Sequence, residues 1–313
     1  MKLDASFLRY INKEEFRVLT AVEMGMRNHE LVPVQLIERI AGLRHGGTQR
    51  FLQSVLKFKL VHHENKHYNG YRLTSLGYDY LALRALMAKG AVRGVGRQLG
   101  VGKESDVFSV FDTSGLVRVL KLHRLGRTSF RDIKRKRDYL QHRKTSSWLY
   151  LSRLAALKEF AFMKALHNEG LPVPEPVACS RHCIVMGLVQ GVPLFQVHSM
   201  PTVMAERLLR EALDLLVRLA QLGLVHGDFN EFNLMLHDTK AEPMIASSEF
   251  SDFDDDDDDG DDAAHGSDEG EGEGDAMRRG KSEAHDRVRA FVDETIAHDD
   301  DDDSGDDDDD NGG

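Results

Sequence analysis

The chain has 313 residues, 41% of them apolar and 30% charged, which is room for two domains and an appendage. No run approaches a membrane span and the first residues lack the apolar core of a secretory signal, so an intracellular protein with no membrane partner is expected. The only cysteines, Cys179 and Cys183, fall short of a zinc ligand set and are expected to be reduced.

In chain order, Phe16, Leu19, Val22 and Met26 recur at helical spacing and predict a first helix over 14–26. Pro33 sits near the first turn of a second helix, 34–41, where proline is tolerated. Gly46-Gly47 opens a third, 48–58, with Phe51, Leu52, Val55 and Leu56 inward. Its outward residues are Gln49, Arg50 and Gln53, with Lys57 and Lys59 nearby. Segments 60–62 and 71–73 flank a polar turn containing Asn69-Gly70, a hairpin signal, and Thr74 caps a last helix ending near Lys89. Three helices and a β-wing make a winged helix over 1–90. It reads either as a nucleic-acid contact through the third helix or wing, or as a protein-docking module. His62, His63 and His67 fit a polar wing better than a metal site.

The next segment, 91–240, carries the chemistry. Between apolar strands 92–99 and 107–111 runs Gly100-Val101-Gly102-Lys103-Glu104-Ser105-Asp106-Val107-Phe108. Glycines at alternate positions let backbone approach phosphates where a Cβ would clash, but Ser105 replaces the third glycine of G-x-G-x-x-G. A plain hairpin with a lysine at its tip is the competing reading. Strand alternation places Lys121 on one face with Val117 and Val119, either snorkelling from an edge or aimed at an anion. Basic residues from Arg124 to Lys144 then crowd an insertion that also holds Tyr139, with Trp148 and Tyr150 following. Such side chains suit phosphates and bases, although Trp148 and Tyr150 serve equally as helix anchors. Glu159 lies beside the apolar stripe of a helix over 154–166, where a kinase pairs a glutamate with its strand lysine. After an apolar strand, 183–186, and an amphipathic helix, 205–221, comes His226-Gly227-Asp228-Phe229-Asn230-Glu231-Phe232-Asn233. This is His-x-Asp-x4-Asn, the spacing of a kinase catalytic loop.

These motifs, GVGKESDVF, LKLHRLGRTSF and HGDFNEFN, resemble those of the RIO family of atypical serine/threonine protein kinases. The N-terminal winged helix points to the second, winged-helix-bearing subfamily, and the resemblance covers residues 1–240. It implies ATP and Mg2+ as cofactors. Gly100, Gly102, Lys103, Ser105, Val107, Lys121 and Glu159 would serve the nucleotide, Met186 and Leu188 the adenine hinge, Asn233 the metal, and Asp228 the catalytic base. It further implies a monomer of cytoplasm and nucleus, a kinase or ATPase in maturation of the small (40S) ribosomal subunit. Contact with the rRNA of the pre-40S particle would come through the winged helix and the basic insertion. In the family that insertion is a mobile loop carrying autophosphorylation, which makes Ser129 and Ser146 candidate acceptors.

One departure matters. The family follows its catalytic loop with a second metal-binding aspartate in an I-D-F-P-Q motif, and residues 236–248 contain none. Asp252-Phe253 lies within an acidic tract and reads as tail. The expected fold is therefore α+β: a winged helix, a kinase-like bilobal domain with an incomplete C-lobe over 91–240, and a disordered acidic tail over 241–313. Loss of one Mg2+ ligand costs several kcal/mol of transition-state stabilisation, at roughly 1.4 kcal/mol per tenfold in rate. The alternative function is thus a catalytically impaired ATP-binding or RNA- or pre-ribosome-binding assembly factor. Charge divides at the same boundary. Residues 1–240 hold 36 basic and 22 acidic side chains, the remainder 5 and 30, so a net −11 conceals a basic body suited to RNA.

Overall fold

The computed structural model describes residues 3–65, 68–125, 148–237, 243–245 and 289–290. They belong to two bodies, one of Met1–Ala156 with Val177–Met186, the other of Leu157–Pro176 with Gly187–Gly313.

The first body begins with α1 (Lys13–Gly25), entered through a capping box. The Asn12 side chain accepts from the Glu15 N–H at 2.8 Å, and the Glu15 carboxylate accepts from the Asn12 N–H at 2.8 Å. There follow β1 (Val32–Pro33), α2 (Val34–Ala41), α3 (Thr48–Lys57), β2 (Val61–Glu64), β3 (Gly70–Leu73) and α4 (Ser75–Ala88). Pro33 lies one residue before α2, as its cap, and with Val32 adds a short strand absent from the sequence reading. The sheet order is β1-β3-β2, with the wing in the register His62↔Arg72. Val18, Leu19, Ile37, Leu52, Val55 and Leu60 form a core sealed from solvent. On α3, Leu52 and Val55 are buried and Phe51 and Leu56 half-buried, while Gln49, Arg50 and Gln53 face water as expected.

Helix α4 is buried along most of its length because it serves two cores. Tyr78, Tyr80 and Leu81 pack into the winged helix, whereas Ala82, Leu83 and Leu86 pack with Phe108, Val110, Leu120, Leu122, Cys183 and Val185. The second group comes from a five-stranded sheet of β4 (Gly94–Val101), β5 (Ser105–Phe111), β6 (Val117–His123), β7 (Pro176–Ser180) and β8 (Cys183–Gly187), ordered β4-β5-β6-β8-β7. Both cysteines are buried and unbonded to each other.

Helix α5 (Trp148–Asn168) starts well before the expected boundary, and Trp148 and Tyr150 form its first turn. The second body adds β9 (Gly191–Pro193), α6 (Thr202–Gln221), β10 (Leu234–His237) and β11 (Pro243–Ile245), with sheet order β11-β10-β9. On α6, Leu208, Leu215 and Leu219 are buried. Val203, Met204, Leu209, Leu213, Leu216 and Val217 are exposed. Strand β11 corrects the sequence reading, which gives 243–245 to the acidic tail. Its residues pair antiparallel with β10, Leu234↔Ile245 and Leu236↔Pro243, before the acidic run begins. Apart from these and residues 289–290, the expected disordered tail lies outside the described residues, as do His67, Asp252 and the basic insertion over 126–147.

Candidate active site

In the first body, strand register brings three of the sequence-selected residues into one row. Gly100 pairs with Val107 across β4–β5, and Val107 with Lys121 across β5–β6. Directly opposed residues share a sheet face, and Ser105, two residues from Val107, lies on that face too. The other face holds Asp106, Phe108, Leu120 and Leu122, all buried, whereas Ser105, Val107, Val119 and Lys121 are only half-buried. Lys121 therefore stands on the open side of the sheet, not in the core. The turn itself is shorter than the glycine pattern suggests, since Gly100 and Val101 still belong to β4 and only 102–104 lie between strands. The Gly102 N–H donates to the Ser105 carbonyl at 2.7 Å, and Lys103 projects at the exposed tip. A Cβ at Gly100 would meet no protein atom within 4 Å. Packing does not demand glycine there, and the residue sits at a register shift between β4 and β5, where a strand glycine is common. Met186 ends the first body, buried in β8.

In the second body, α6 ends at Gln221, Gly223 turns the chain with a φ of 73°, and the Leu224 N–H donates to the Leu219 carbonyl at 3.0 Å. Gly227 repeats the left-handed conformation at φ 72°, where a side chain would be strained, so the glycine inside His226-Gly227-Asp228 is a backbone requirement. The exposed Asp228 carboxylate is held by two amides. Nδ2 of Asn230 donates to Oδ1 at 2.6 Å, and Nδ2 of Asn233 donates to Oδ2 at 2.7 Å and to the Asp228 carbonyl at 2.8 Å. Asn230 also accepts from the Phe232 N–H through its Oδ1 at 3.0 Å, which tightens the loop. Sequence reading selects Asn233 and passes over Asn230; the signal was an Asn two residues after the Asp, where its side chain closes a local turn. Because both N–H groups of Asn233 are turned to Asp228, its carbonyl oxygen is the ligand that it has for a cation. Glu159 is half-buried on α5, and Leu188 is exposed just after β8.

Taken separately, the first body offers a glycine turn and a strand lysine that suit phosphate, and the second a fixed carboxylate and an amide oxygen. No group of three or more His, Cys, Asp or Glu side chains that could hold a metal occurs among the described residues. Asn233, through its side-chain oxygen, is the residue that would hold Mg2+.

Comparison with known proteins supplies two family matches. Residues 8–89 match the family described as Rio2, N-terminal, and residues 106–248 the RIO domain. The serine/threonine-protein kinase rio2 of Dictyostelium discoideum is 54% identical over 245 residues, 78% of this chain and 47% of its own length. That of Schizosaccharomyces pombe is 52% identical over 239 residues, 76% of this chain and 69% of its own. The crystal structure of the Chaetomium thermophilum Rio2 kinase as an ADP/Mg2+-phosphoaspartate complex superposes with a TM-score of 0.72 at 43% identity, covering 95% of this chain and 84% of that one. The chain spans about half the length of the Dictyostelium relative.

Proposed function

The chain belongs to the RIO family, in its Rio2 branch, and on that premise we propose that it binds Mg-ATP and acts as a serine/threonine protein kinase or ATPase in maturation of the small ribosomal subunit. The observation that carries the reading is the Asp228 carboxylate, exposed and fixed by Asn230 and Asn233. Phosphoryl transfer is mostly positioning and charge neutralisation, and a carboxylate with both oxygens oriented is set to receive a hydroxyl proton. Lys121, Lys103 and Ser105 would bind phosphates, and Met186 and Leu188 the adenine edge. Bound Mg2+ would neutralise phosphate charge, with Asn233 among its ligands.

A second reading has its own observation. Residues 236–313 lack the I-D-F-P-Q segment that supplies the second metal carboxylate in the family. On that reading the chain is an ATP-binding assembly factor of low turnover, and its basic surfaces do the binding. The outward Gln49, Arg50 and Gln53 of α3, with Lys57 and Lys59, would meet rRNA in either case.

Single-turnover assays with γ-labelled Mg-ATP on the whole chain and on Asp228→Ala separate the readings. Label transfer or phosphate release that Asp228→Ala abolishes supports the enzyme. ATP binding without turnover in either protein supports the assembly factor, and no ATP binding overturns both.

A further inference from the structure

A buried ionic cluster in the first body joins the winged helix to the phosphate turn. Arg124 follows β6 and grips the turn twice. Its main-chain N–H donates to the Glu104 carbonyl at 2.5 Å, and its Nε donates to Oδ2 of Asp106 at 3.3 Å. These bonds straddle Ser105. The other end of the guanidinium forms a fork on Asp79 of α4, Nη1 to Oδ1 at 2.6 Å and Nη2 to Oδ2 at 2.8 Å. Asp79 also accepts from Nε2 of His182 at 2.9 Å, and the His182 ring stacks on Tyr78, again of α4, at 4.7 Å between centroids. Asp79 and Asp106 have no exposed surface, and Arg124 and His182 almost none.

Such a cluster is a poor device for stability alone. Desolvating charges offsets most of their attraction, and apolar side chains of equal volume would fill the space at least as well. What ions add is direction, because a planar guanidinium meets a carboxylate in a fork that admits few orientations. Here the direction is imposed on residues 104–106. We propose that Asp79 is a positioning residue for the phosphate turn, acting through Arg124, so that the winged-helix domain holds part of the nucleotide site in place. The proposal rests on reading that turn as the nucleotide site. Helix α4 contributes to both hydrophobic cores, so a displacement of the winged helix moves the carboxylate on which Arg124 is forked.

The test compares ATP with adenosine, which lacks the phosphates, by equilibrium titration of the whole chain in Mg2+. Asp79→Asn keeps the shape but removes the charge and the fork. It is expected to raise the Kd for ATP about tenfold, equivalent to roughly 1.4 kcal/mol, and to leave that for adenosine unchanged. Arg181→Asn is the control, since it breaks a different ion pair that reaches the winged helix, Arg181 to Glu23 of α1 at 2.7 Å, at a site remote in sequence from the turn. It is expected to lower the thermal midpoint with the ATP-to-adenosine ratio intact. If Asp79→Asn does not fold, Arg124→Lys, which keeps a buried cation but loses the fork, gives the same comparison. Unchanged ATP affinity, or a parallel loss for ATP and adenosine, overturns the proposal. A wild-type chain that binds neither compound overturns the nucleotide reading beneath it, a result distinct from a binding wild type with an indifferent variant.

Discussion

Asn230 fixes one oxygen of Asp228 and one turn of backbone with a single side chain. Asn230→Ala removes both bonds and leaves Asp228 tied only through Asn233. Small misplacement of a reacting group costs about 10²-fold in rate, so turnover is expected to fall by about that factor while the KM for ATP holds. An equal loss in both constants would place Asn230 in nucleotide binding instead. His182 offers a second test at this scale. Burial, the largest influence, disfavours its imidazolium, and the neighbouring Arg124 and His123 add to that, outweighing Asp79. Its pKa therefore lies below the ordinary value of about 6.5. As pH falls through about 6.5 the unfolded chain takes up a proton that the folded one refuses, so stability is lost below that pH and is flat for this group above it. The urea midpoint of the wild type is expected to drop between about pH 7 and pH 5. In His182→Gln, whose amide can still donate to Asp79, the drop should be shallower. Asp79 titrates elsewhere. Burial raises its carboxyl, but donors from His182 and Arg124 overcome that and hold it low, so its contribution disappears only below about pH 3.9.

At the scale of elements, α4 shows how a helix can be legible in sequence while its role is not. Thr74 marks its start, and the structure confirms the cap, Oγ1 accepting from the Gly77 N–H at 3.1 Å. Gly77 in the first turn looks like a defect by helix propensity. The structure shows that a Cβ there would lie 2.0 Å from the Leu60 carbonyl oxygen, so the glycine lets α4 dock against the base of the wing. Gly77→Ala gains about 1 kcal/mol of propensity, but overpacking against backbone costs about 1–3 kcal/mol or more. Net destabilisation is expected, seen as a lower thermal midpoint, and a raised midpoint would show that the wing yields easily. The winged helix, the three β-strands around Lys121 and the turn at 226–233 are all readable because period and local turn chemistry encode them. The row Gly100–Val107–Lys121 was only implicit, since register depends on the two-strand pairing and not on either strand. Strand β11 was missed because Pro243-Met244-Ile245 is too short to show alternation. The Asp79–Arg124 fork joins residues 45 apart in sequence, and nothing local announces it.

For the whole molecule the dominant fact is the separation of charge, with 36 basic and 22 acidic side chains up to residue 240 and 5 and 30 beyond it. On the proposed binding of RNA to the basic part, the acidic segment of the same chain would compete at high effective concentration. Each phosphate neutralised would release a counterion, so that such binding would weaken steeply with salt, and an intramolecular polyanion would weaken it further at low salt, where screening is least. Deleting residues 246–313, which leaves β11 in place, is expected to tighten RNA binding at low ionic strength by about tenfold and to steepen its salt dependence. Above about 0.3 M salt the two proteins should converge, because the Debye length then falls below ~6 Å. Filter-binding isotherms of both forms on one single-stranded RNA across a salt series read this directly. Parallel lines of log affinity against log salt, with no offset, would mean that the acidic segment does not contact the basic surface, and its charge would then act on a partner instead.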